Sequence, residues 1–174
     1  VILWYDDTLS YESEMFDRLK CFVKENTNKQ GSKYYSNYNT DSEKLSNIPV
    51  LGDYLIDFYT ENIKIMMKDL GVFGHFVYDI EYWTQMYYLG STSHTPHSHF
   101  GDGAQVSWVH IIDAPEDQDC FHFIDSKCNK FYPKNQRSNT LFAFPSWAIH
   151  SVDSLKVDHD RIIVAGNVNF KTQL

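Results

Sequence analysis

Positive charge is in short supply in this chain. Lys and Arg number 15 against 23 Asp and Glu, a formal net charge of −8, and no cluster of basic residues interrupts the deficit. Nonspecific binding to a nucleic-acid backbone relies on a basic stripe, so a nucleic-acid partner is excluded and a small or cationic substrate fits better. Cysteine is equally sparse: Cys21, Cys120 and Cys128 form an odd set with no Cys-x-x-Cys pair. That excludes a disulfide framework and leaves the reduced thiols of a cytoplasmic protein as the expectation. No stretch approaches the ~18 unbroken apolar residues of a membrane span. The opening VILWYDD is too short and too quickly acidic for a signal peptide. Internal repeats and linkers are missing as well. What is there is 174 residues, 43% hydrophobic and 16% aromatic, enough to bury a core, and the expectation is a single domain over 1–174.

The hydrophobic period changes near residue 72. Before it, Met15, Phe16, Leu19, Phe22 and Val23 recur at helical spacing behind Ser10, with Glu12 and Glu14 placed to complement the exposed amides of a first turn. A polar loop over 29–44 follows. Leu51, Tyr54, Leu55 and Phe58 then mark a second helix that runs to about Leu70 and ends at Gly71. After residue 72 come short β-rich runs, VYDIEYWTQMYYL, AQVSWVHIID, CFHFID, TLFAFP, AIHSV and RIIVAGNVNF, separated by turn-forming segments. Residues 1–72 therefore read as a helical N-terminal part and 73–174 as a β-barrel core. The fold class is mainly β, an antiparallel barrel or jelly roll with two helices packed outside.

Within this pattern TPHSHFGDG, residues 95–103, sets His97 and His99 one residue apart. Alternate residues of an extended strand point to the same side, so both imidazoles would face one spot, as metal ligands do. Pro96 and its Ser, Thr and Gly neighbours disfavour the helical arrangement that would pair His94 with His97 instead. A third ligand has to come from elsewhere, and His150 in FPSWAIHSV, within a later strand-like run, is the best candidate. His75, His94, His110, His122 and His159 stand alone in their segments and read as ordinary core or surface residues.

The last strand carries an independent signal. RIIVAGNVNF puts Arg161, Ile163, Ala165, Asn167 and Asn169 on one face and Ile162, Val164, Val168 and Phe170 on the other. A buried Arg161 needs an anionic partner, and a carboxylate taken bidentately suits a guanidinium. That partner is either an internal Asp or Glu or a bound ligand.

The ordered set Tyr88, PHSH, SWVHIIDAP, FHFID, FAFPSWAIHSV and RIIVAGNVNF resembles the double-stranded β-helix (cupin-like) oxygenases that depend on iron(II) and 2-oxoglutarate. The branch known from phage and bacterial genomes is the most similar. The resemblance covers about residues 80–170. It implies that His97 and His150 are iron ligands, that Arg161 holds the far carboxylate of 2-oxoglutarate, and that Tyr88 and Asn167 help bind this co-substrate. It implies O2-dependent hydroxylation of a small metabolite or peptide side chain, with 2-oxoglutarate converted to succinate and CO2. His97, His99, His150 and Arg161 would be the catalytic set. The departure lies at the second ligand, where the family's usual carboxylate is replaced by His99. Asp102, between Gly101 and Gly103, is the competing ligand if the turn folds back. Three neutral imidazoles leave a metal more positive than two imidazoles and a carboxylate. The alternative function is therefore a three-histidine dioxygenase, or a non-catalytic binding domain, that does not use 2-oxoglutarate. Substrate choice would be set by loops such as 29–44 and 126–138, where no diagnostic residue stands.

Overall fold

Leu19 and Val23 repeat at helical spacing after Phe16, and all three are buried, which is why Ser13–Asn26 forms helix α1. It starts three residues beyond Ser10, where the Glu12 N–H donates to the Tyr54 hydroxyl at 2.8 Å. The structure is a computed structural model that describes residues 1–31, 33–38, 45, 47–72 and 77–171; His75 lies outside these. Helix α2 spans Leu51–Asp69 and buries Leu55, Phe58, Tyr59, Ile63, Met66 and Met67. No helix among the described residues is long and apolar enough to cross a membrane.

The strands among the described residues are β1 (Trp4–Asp6), β2 (Tyr35–Ser36), β3 (Val77–Tyr87), β4 (His94–His97), β5 (Val106–Asp113), β6 (Phe121–Ile124), β7 (Lys130–Phe131), β8 (Thr140–Pro145), β9 (His150–Val152) and β10 (Arg161–Lys171). They make a six-stranded sheet in the order β1-β8-β5-β10-β3-β2 and a four-stranded sheet in the order β4-β9-β6-β7. Every pairing is antiparallel. The N-terminal part is thus not purely helical. It lends β1 and β2 to opposite edges of the larger sheet, and the loop expected over 126–138 contains β7.

Two cores follow from the alternation of side chains. On one face of the six-stranded sheet, Trp108, Ile162, Val164 and Val168 pack with Phe16, Leu19, Leu55 and Ile63 of the helices. On the other, Val109, Ile111, Ile163 and Ala165 meet Phe121, Phe123 and Val152 of the smaller sheet. Being covered on both faces, β5 and β10 are buried along most of their length, as strands between two apolar layers must be. Gly166, paired with Trp108, faces the helices. A Cβ there would collide with the Trp108 ring and the Glu81 carbonyl.

Candidate metal centre

His97 closes β4 and is the direct cross-strand partner of His150, which opens β9. Their ring centroids lie 4.3 Å apart. His99 joins them at 5.1 Å from His97 and 5.3 Å from His150. One ring nitrogen from each of the three lies within 4.8 Å of the others, close enough to share one ion after small ring rotations. The route differs from the one expected. β4 stops at His97, and His99 sits beyond it, with φ −103° and ψ 9°, at the start of the short 3-10 turn Phe100–Asp102. A bend rather than strand alternation turns it inward, and its backbone N–H donates to the Ser146 carbonyl at 2.9 Å. The side chain of the competing ligand, Asp102, lies outside the described residues.

The tautomers are set by the backbone. Nδ1 of His97 lies 2.8 Å from the Thr95 carbonyl oxygen, and Nδ1 of His150 lies 3.0 Å from that of Ala148. A carbonyl oxygen can only accept, so each Nδ1 carries the proton and the coordinating lone pair falls on Nε2. This is the arrangement in which a metal-binding imidazole is oriented by a partner on its far nitrogen. Burial, followed by the neighbouring His97, lowers the His150 pKa to about 3, so the ring stays neutral, as a ligand must.

The three histidines line a cavity of about 160 Å³ between the sheets. Val109, Phe121, Val152 and Ile163 form its apolar wall, and Gln85 and His94 are further polar groups on it. A mainly apolar cavity with a few convergent polar groups is the usual form of a small-molecule site. Arg161 occupies the inward-facing position of β10 next to Ile163 and pairs with Tyr87. It is only 1% exposed, and its guanidinium carbon lies 5.6 Å from the Tyr87 ring centroid. Neither Nη1 nor Nη2 has a hydrogen-bond partner among the described residues, and burial pulls the guanidinium pKa down. A buried cation without a counter-charge costs several kcal/mol. Of the two partners open to Arg161, no internal carboxylate forms an ion pair with it among the described residues, Asp119 acting on it through charge alone, so an incoming carboxylate fits.

Two other expected residues are not brought to this place. Tyr88, one residue past β3, turns away: its hydroxyl donates to the Gly31 carbonyl at 2.5 Å and lies 3.0 Å from the Lys33 carbonyl oxygen. It ties down the segment leading into β2. Asn167 spends its amide on Glu81 at 2.7 Å and receives the Ser107 hydroxyl at 2.8 Å. Conversely, His94 does line the cavity. A register irregularity between His94 and His97 puts residues three apart on one side, and the signal for it was Pro96, which cannot donate to a ladder. Tyr34 and Tyr38, from the polar loop, complete the wall.

No protein-family model matches the sequence, and no curated protein matches it. Solved structures do resemble it. A Pseudomonas putida prolyl-4-hydroxylase superposes with a TM-score of 0.58 at 15% identity, over 92% of this chain and 83% of its own. The non-heme alpha ketoglutarate dependent epimerase SnoN from nogalamycin biosynthesis gives 0.62 at 9% identity, over 91% and 73%. A 2OG-Fe(II) oxygenase family oxidoreductase from Burkholderia pseudomallei gives 0.56 at 12% identity, over 71% of this chain and 59% of its own. At these identities the likeness is one of fold: a mostly β architecture with two helices, shared with 2OG-Fe(II) oxygenases.

Proposed function

We propose that this protein is an Fe(II)- and 2-oxoglutarate-dependent oxygenase whose two facing sheets form a double-stranded β-helix. His97, His99 and His150 hold the iron, and Arg161 takes the far carboxylate of 2-oxoglutarate. The observation that carries this reading is the buried Arg161 guanidinium, whose Nη1 and Nη2 have no partner among the described residues, in a chain that also gathers three histidines. A plain metal-binding domain or a three-histidine dioxygenase has no use for such a cation. The fold shared with 2OG-Fe(II) oxygenases supports the same reading. Once bound, iron supplies O2 activation coupled to conversion of 2-oxoglutarate to succinate and CO2, which hydroxylates a small metabolite or a peptide side chain. The chain's own contributions are more local. Three neutral imidazoles add no negative charge to the metal, so the co-substrate becomes its anionic partner. Arg161 orients that co-substrate from the far end, and the apolar wall of Val109, Phe121 and Ile163 keeps water from the reacting centre.

The test is anaerobic titration with Fe(II) followed by 2-oxoglutarate, monitored by the visible charge-transfer band of the chelate. The parent develops the band, and His150→Ala binds no iron. Arg161→Lys keeps the charge but loses the planar fork, so 2-oxoglutarate binds about 2 kcal/mol more weakly, roughly thirty-fold. A parent that binds Fe(II) but shows no band on adding 2-oxoglutarate is a three-histidine dioxygenase or a binding domain instead.

A further inference from the structure

His94 is a fourth imidazole on the cavity wall, and it takes no place in the cluster of His97, His99 and His150. Its ring lies almost parallel to that of His97, 19° between planes, with centroids 4.1 Å apart. Tyr34 also meets His94, at 4.7 Å, and stacks on Tyr87 at 4.9 Å and 22°. Four rings from three segments therefore form one cluster, and the Tyr87 ring lies 5.6 Å from the Arg161 guanidinium carbon. The cluster is pinned by a hydrogen bond as well. The Tyr87 hydroxyl donates its single proton to Gln85 Oε1 at 2.8 Å, so the 3.1 Å contact with His94 Nδ1 must be donated by the imidazole. His94 is thus held in the same Nδ1–H tautomer as His97 and His150, with its ring plane fixed from two directions.

The Nδ1 bond to the Thr95 carbonyl holds His97 through one ring atom, and the rings of His99 and His150 meet it at 5.1 and 4.3 Å. His94 lies nearly parallel to it, and a flat partner at stacking distance adds a restraint on the plane of the ring.

We propose that His94, backed by Tyr34 and Tyr87, is a positioning residue that sets the plane of His97 and so the geometry of the metal centre. This rests on the three-histidine reading of the site. The flat ring does the positioning, and the His94 nitrogens do not ligate.

The experiment titrates Co(II) alone into the metal-free full chain and reads both affinity and the ligand-field spectrum. His94→Ala loses the stack, so Co(II) affinity falls about ten- to a hundred-fold, the usual effect of removing a group that orients a ligand, and the bands shift. His94→Phe restores a flat ring without a ligating nitrogen and returns affinity to within about three-fold of the parent, with the parental spectrum. Should His94→Ala fail to fold, the Tyr34 pair decides: Tyr34→Leu weakens binding several-fold while Tyr34→Phe does not. If His94→Ala binds Co(II) like the parent, or if His94→Phe is as weak as His94→Ala, the proposal is wrong. A parent that binds no Co(II) overturns the three-histidine reading itself.

Discussion

A single backbone position separates the two tyrosines at the end of β3, and it reverses their roles. Tyr87 lies under Arg161 and against His94; Tyr88 is buried in the helix-side core, where its hydroxyl meets the carbonyls of Gly31 and Lys33. The two hydroxyls therefore answer to different measurements. Tyr88→Phe leaves 2-oxoglutarate affinity unchanged, and it raises the proteolytic susceptibility of the segment around residues 28–33, because the loop carbonyls lose their common donor. A matching fall in co-substrate affinity in that variant would return Tyr88 to the site. Neither tyrosine could have been assigned from the sequence, since YY at the end of a strand leaves the phase of the last residue undefined. Arg161 was legible because it opens an eleven-residue strand whose Ile163 and Ala165 fall in one core and Ile162, Val164 and Val168 in the other.

At the scale of elements, length decided what could be read. β3, β5, β8 and β10 run for six residues or more and show a period; β2 and β7 have two residues each, too few to display one. His94 escaped for a related reason, since the irregularity beside Pro96 breaks the alternation on which strand faces are read. The helix-facing side of β10 offers a sharp test of the packing. Gly166 lies where the Trp108 ring and the Glu81 carbonyl leave no room for a methyl group. Gly166→Ala forces strands β3, β5 and β10 apart and lowers stability by about 3 kcal/mol, the upper range for overpacking a filled core. Chemical denaturation reads this directly, and the parental midpoint in the variant would show that the contact relaxes freely.

For the whole molecule, histidine burial ties stability to pH. Burial lowers His94 and His150 to about 3 and His110 to about 4, all below the ~6.5 of an unfolded chain. Between those values the unfolded state binds protons that the folded state refuses. The stabilisation is complete above pH 6.5 and drains away as pH falls toward 4, so the metal-free protein weakens with acidification. His110, fully buried and bonded to the Tyr59 hydroxyl, accounts for about 3 kcal/mol of that loss. Urea unfolding at pH 7 and pH 4.5 measures the slope, and His110→Gln flattens it. A profile equally steep in the variant would assign the effect to other groups.

The hydrogen bonds that orient His97 and His150 run to main-chain oxygens two residues earlier in the same segment. No side-chain replacement elsewhere can delete a main-chain carbonyl. In this protein the inheritance of ring orientation is therefore separated from the inheritance of the surrounding residues. The lining of the cavity is free to diverge toward new substrates while those two rings keep the same nitrogens turned to the same point.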